Sequence, residues 1–167
     1  MTTAPPVKLR RVRLAERPEL DPLIDEHLAE AMKFRETQAG PTSSQDYEEL
    51  ALFWQERGRH PFFLTMGSER VGLALVREVL DEAVIEMAEF YVFPKHRRNG
   101  VGRAAMLKLW QRFPGSWRFQ VNASNEGGRA FWPLCLEAHG ATNIDVKDIT
   151  APDGARVEYT FDIPSMD

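Results

Sequence analysis

Cysteine is almost absent from this 167-residue chain, since Cys135 stands alone. It can form no internal disulfide and no thiolate metal cluster, which fits a reducing, cytoplasmic setting. The four histidines, His27, His60, His96 and His139, lie too far apart for a short ligand spacing, so no metal is expected. No run of about 18 apolar residues is present to span a bilayer. The opening MTTAPPVKLRRVRL lacks the apolar centre of a secretory signal. A basic excess is missing too: 25 Asp and Glu against 21 Lys and Arg leave a net charge of −4. Neither nucleic acid nor an anionic membrane is therefore an expected partner.

What remains is an ordinary globular composition, 43% hydrophobic and 28% charged, of a length suited to one domain. We expect a flexible tail over residues 1–6 and a single domain over 7–167. Residues 7–14 read as an edge strand with a bulge or an early end near Arg10–Arg11. Leu20, Leu23, Ile24, Leu28, Ala31 and Phe34 recur at helical spacing up to Gly40–Pro41, and Tyr47, Leu50, Ala51 and Trp54 predict a second helix up to Gly58. From His60 the period changes to PFFLTM, VGLALV and AVIEMAEFYVF, three consecutive antiparallel strands. A helix over Val101–Phe113, a strand at 117–123, a helix through Ala130–Ala138 and two strands across Asp153–Gly154 complete the order β-α-α-β-β-β-α-β-α-β-β.

Charge is unevenly placed along this order. Between Phe90 and Asn125 there are seven basic side chains, Lys95, Arg97, Arg98, Arg103, Lys108, Arg112 and Arg118, and no acidic one. Within that stretch, Arg97-Arg98-Asn99-Gly100-Val101-Gly102-Arg103 carries a strand into a helix. Glycines there let backbone approach a guest, and the first helical N–H groups and the helix dipole favour negative charge, so the guest should carry phosphate. A dinucleotide fingerprint does not fit, because antiparallel strands precede the turn and no acidic residue follows until Glu126. Without Gly-Lys-Ser/Thr after the glycines, a P-loop does not fit either.

The run Arg97-x-x-Gly100-x-Gly102 resembles the acetyl-CoA-binding motif of the GNAT acetyltransferase superfamily. Asn125-Glu-Gly-Gly128-Arg-Ala-Phe131-Trp132 resembles the same family's later motif. The resemblance covers nearly the whole chain and implies an α/β (α+β) fold, a mainly antiparallel sheet of six to seven strands flanked by four helices and splayed where the cofactor enters. It implies an N-acetyltransferase acting on a primary amine of a small molecule or protein, with acetyl-CoA as cosubstrate, no metal, and a possible homodimer. The amides of Arg98 to Arg103 would hold the pyrophosphate, aided by the Arg97, Arg98 and Arg103 side chains. Phe90, Tyr91 and Val92 would pair with the pantetheine arm, and Asn125, Phe131 and Trp132 would meet the cofactor from the later helix, with Phe131 also a core candidate.

Acyl transfer to an amine needs a base, an oxyanion site and a proton for the leaving thiolate. Glu86 and Glu89 are the candidate bases, on opposite faces of a regular strand unless a bulge near Phe90 intervenes. The backbone N–H near Val92 would hold the oxyanion. Trp132 stands where the family often has tyrosine, and an indole is no practical acid. Tyr91, Tyr159 or water remain. Trp132 and Pro133, a helix breaker, are also the only support for the alternative, a non-catalytic acyl-CoA-binding or sensing module. Acidic residues of the first two helices (Asp21, Asp25, Glu26, Glu30, Glu36, Asp46, Glu48, Glu49) would attract a cationic acceptor or form a solvated face. Trp54, Phe62 and Phe63 are core or pocket wall.

Overall fold

The structure, a computed structural model, describes residues 4–165. Seven strands, β1 (Val7–Arg11), β2 (Arg59–Met66), β3 (Glu69–Val79), β4 (Val84–Val92), β5 (Gly115–Asn122), β6 (Thr142–Ala151) and β7 (Gly154–Ile163), form one sheet in the order β1-β2-β3-β4-β5-β7-β6. Every neighbouring pair is antiparallel except β4–β5. Three α-helices, α1 (Arg17–Ala31), α2 (Val101–Arg112) and α3 (Glu126–Ala138), cover the two faces. Residues 1–3 of the expected tail lie outside the described residues, and 4–6 are exposed without regular structure.

The strands of the middle of the sheet read as continuous apolar runs because both faces are covered. Phe63, Leu73 and Leu75 meet Leu20, Ile24 and Leu28 of α1, whereas Phe62, Leu64, Ala74 and Val76 share a cluster with Leu109 and Trp110 of α2 and Leu136 of α3. Phe62 and Phe63 are thus core on opposite faces, and burying each contributes roughly 1.5–3 kcal/mol. Trp54 is half-buried, its indole N–H donating to the Val12 carbonyl at 2.9 Å.

The expected second helix is instead a five-residue 3₁₀ segment, Leu50–Trp54. Asp46, placed to start a helix, uses its carboxylate on the N–H groups of Thr42 and Ser43, 2.7 to 3.0 Å away, and so closes a local turn. Leu50 and Phe53 still plug the α1-side core. Between α1 and this segment, Glu36 and Thr37 donate backbone N–H groups to the Asp153 carbonyl at 2.7 and 3.2 Å, which ties the β6–β7 turn to the chain leaving α1.

Two irregularities of β4 prepare a site. Its parallel pairing with β5 is confined to Ile85–Trp117 and Glu86–Arg118, after which the strands diverge. On its other edge the register with β3 slips between Met87 and Glu89, leaving Ala88 as a bulge.

Candidate active site

The turn before α2 has the properties of an anion cradle. Gly100 adopts φ +76°, a left-handed conformation that side chains disfavour, and a Cβ built on it would meet nothing within 4 Å. Ala104 makes the first backbone bond of the helix, to Gly100 at 3.0 Å; the N–H groups of Arg98 to Arg103 donate to no other described residue. Six consecutive donors are therefore left without a protein acceptor at the positive end of a helix dipole. Gly102 serves packing, since a Cβ there would sit 3.3 Å from the Phe131 ring.

The arginines divide their labour. Arg97 sends both terminal nitrogens to Glu30 of α1 at 2.6 Å and its Nε to the Val92 carbonyl at 2.9 Å, tying the turn to α1 and to the end of β4. That bond holds the Glu30 carboxyl below its usual range and raises Arg97 in turn. Arg98, at φ 65°, and Arg103 have no carboxylate partner among the described residues and remain for an anion.

Beyond Glu86 the divergence of β4 from β5 leaves the β5-facing edge of Met87 to Val92 without a strand partner. On the α2/α3 side this gap is bordered by aromatic rings. Trp132 is buried with Phe119 at 4.3 Å, Phe131 at 4.8 Å and Phe90 at 5.6 Å between ring centres. Trp132 is core, and α3 continues through Pro133 without a break, so neither residue supports a loss of catalysis. Asn125 caps α3, its side-chain oxygen accepting from the Gly128 N–H at 2.9 Å. Tyr91 faces α1 with the Arg97 guanidinium 5.4 Å from its ring centre, and Tyr159 packs 5.2 Å from Phe119. Both are buried, and burial raises both phenols.

On the α1 side the gap opens into a cavity of about 540 Å³ bounded by α1, the loop after it, β4, β5 and the β6–β7 turn. The Ala88 bulge places Glu86 and Glu89 on the same face, because their β3 partners Arg77 and Leu75 are two residues apart. The bulge allowed for near Phe90 thus lies at Ala88, and it removes the opposite-face arrangement of a regular strand. Their surroundings differ sharply. Glu86 is clasped by Arg118 at 2.9 Å and Arg77 at 3.5 Å and does not line the cavity. Glu89 does line it, accepting from the Tyr47 hydroxyl at 2.7 Å with His27 Nε2 2.8 Å from its other oxygen. Burial and the Glu89 charge push the Tyr47 phenol far up, so Tyr47 stays a donor.

The acidic surface read from the sequence proves largely engaged. Asp21 pairs with Arg17, Asp25 accepts the Ser44 N–H, Glu30 binds Arg97, Glu36 accepts the Ala155 N–H, Asp46 closes its turn, and Glu49 lies 3.8 Å from Arg59. Only Glu26 and Glu48 of the set have no polar partner among the described residues. Tyr47 and His27 escaped sequence reasoning: Tyr47 fell into a helical apolar pattern and His27 into a scatter of histidines, and only folding brings them to Glu89.

A helix start with unpaired amides and a cavity holding a carboxylate thus both lie along the open end of β4. The family model described as Acetyltransferase (GNAT) family matches residues 25–134, and the chain belongs to that family. The fold agrees with solved structures at low identity. An acetyltransferase from Thermus thermophilus superposes with TM-score 0.65 at 18% identity, covering 93% of this chain and 96% of that one. The ribosomal-protein-S18-alanine N-acetyltransferase of Escherichia coli gives 0.58 at 17% identity, with 96% of each chain covered. An aminoglycoside acetyltransferase in complex with coenzyme A gives 0.65 at 16% identity, covering 92% of this chain and 93% of that one. No curated protein matches the chain in sequence. No helix among the described residues is long and apolar enough to cross a membrane.

Proposed function

We propose that this acetyltransferase moves the acetyl group of acetyl-CoA directly to a primary amine, with Glu89 as the base. The unpaired amides of Arg98 to Arg103, with the Arg98 and Arg103 side chains, hold the pyrophosphate. The unpaired edge of β4 from Phe90 to Val92 pairs with the amide groups of the pantetheine arm as an added strand would. This lays the thioester in the β4–β5 gap. The amine enters from the α1-side cavity, where Glu89 takes its proton directly or through one water. The nitrogen then attacks the thioester carbon, a backbone N–H near Val92 steadies the oxyanion, and as the C–S bond breaks the nitrogen gives its second proton to water, leaving the neutral amide. Tyr91 and Tyr159 are buried with raised phenols, so the departing thiolate takes its proton from water.

The observation that carries this reading is the position of Glu89: it is the strand carboxylate in the cavity that meets the gap, whereas Glu86 is an ion-pair partner. A screen of primary amines that follows thiol release tests it. Turnover with at least one amine, yielding an amide in equal amount to free coenzyme A, is expected. No turnover with any amine, alongside micromolar acetyl-CoA affinity, would make the chain a holding module instead.

A further inference from the structure

The cavity beside Glu89 also contains a cation without a counterion. Two guanidinium groups line it, Arg35 and Arg156. Arg156 is fully engaged, with Asp153 2.8 Å away on two of its nitrogens and the Gln120 carbonyl oxygen 2.8 Å from the third. Arg35 is half-buried, donates one bond, to the Pro41 carbonyl at 2.7 Å, and has no carboxylate partner among the described residues. Its Cζ lies 3.4 Å from the Cβ position of Gly40, so the Gly40–Pro41 turn closes against the guanidinium. Arginine cannot shed its charge, and four of its five N–H donors here have no protein acceptor.

We propose that the acceptor is a small amino acid-like molecule whose carboxylate is read by Arg35 while its amine lies at Glu89; this rests on the acyl-transfer reading above. None of the other cavity carboxylates pairs with Arg35. Asp46 is closed on Thr42 and Ser43, Asp153 is held by Arg156 and Asn122, Glu49 lies 3.8 Å from Arg59, and Glu48 is exposed. A simple monoamine would leave the guanidinium unmatched, and a polyamine would place like charge beside it. A planar carboxylate matches its fork with two parallel hydrogen bonds. The volume of about 540 Å³ accommodates such a molecule with its side chain. The cavity lining thus offers a guanidinium as well as the Glu89 carboxylate, a pattern that counting acidic residues in the sequence conceals.

The test compares matched acceptors: glycine, methionine, phenylalanine, lysine and 4-aminobutyrate, each beside its primary amide and the amine lacking the carboxyl group, with dipeptides as a further arm. Thiol release gives kcat/KM for the wild type, Arg35→Gln and Arg35→Lys. The carboxylate members should be preferred by at least about tenfold, and Arg35→Gln should erase the preference mainly by raising their KM. Arg35→Lys, which keeps charge but loses the planar fork, should restore it only in part. Preference for dipeptides alone would move the carboxylate to a peptide end and overturn the small-molecule assignment. Equal or better turnover of amides and decarboxylated amines, or a preference that survives in Arg35→Gln, would overturn the inference and leave acetyl transfer standing. No turnover of any member while acetyl-CoA binds would overturn the acyl-transfer reading itself. If Arg35→Gln does not fold, the wild-type series and Arg35→Lys decide the matter.

Discussion

Glu89→Gln should lower kcat by roughly 10²–10⁴-fold at neutral pH, the usual contribution of a positioned general base, while acetyl-CoA affinity stays within about twofold. The amide keeps the shape of the carboxylate and can still accept from the Tyr47 hydroxyl, so the change isolates basicity. An ammonium acceptor loses its proton on its own as pH rises, so the deficit should shrink steadily between pH 6 and 9. Glu86→Gln is the internal control. Its contacts with Arg118 and Arg77 are partly exposed ion pairs, worth less than about 1 kcal/mol of stability, and kcat should match the wild type. Full activity of both variants across that range would remove the strand carboxylates from the mechanism.

Gly100→Val should weaken acetyl-CoA binding by at least about tenfold, or roughly 1.4 kcal/mol, in calorimetric titration. Two effects act in the same direction. A β-branched residue at φ +76° is strained by about 1–2 kcal/mol, which favours withdrawal from the conformation that presents the amides. The side chain would also occupy the open space in which the phosphates approach. Gly100→Ala separates these, since it retains most of the strain and little of the bulk, and its loss should be smaller. A folded Gly100→Val protein with unchanged affinity would place the phosphate site elsewhere.

Those two residues differ in how visible they were before folding. The turn is local: Gly100, Gly102 and their neighbours lie within a few residues of chain, so spacing alone announces a tight turn opening a helix. The succession of strands along the chain was legible for a similar reason, because runs of branched and aromatic residues are a short-range pattern. Telling Glu86 from Glu89 was harder, since the Ala88 bulge that puts both on one face is defined only by register against β3. Their partners, Arg118 and Arg77 for one and Tyr47 and His27 for the other, come from other parts of the chain. Arg97 and Asn125 carry motif identities, yet their side chains serve Glu30 and the α3 amide ends. Such roles follow from which helix packs where. Tyr47 and Arg35 are reached only through the third dimension, the first meeting Glu89 from 42 positions away, and neither has a local pattern that sets it apart from core or surface.

The most direct test of the account is hydrogen exchange of the wild-type protein with and without acetyl-CoA, read at single amides. Protection should concentrate in two stretches distant in sequence, Phe90–Val92 on the open edge of β4 and Arg98–Arg103 at the start of α2, with β1 and the outer strand β6 unchanged. Protection at only one of the two stretches, or centred on the groove between α3 and β6, would contradict a cofactor laid from the α2 turn into the β4–β5 gap.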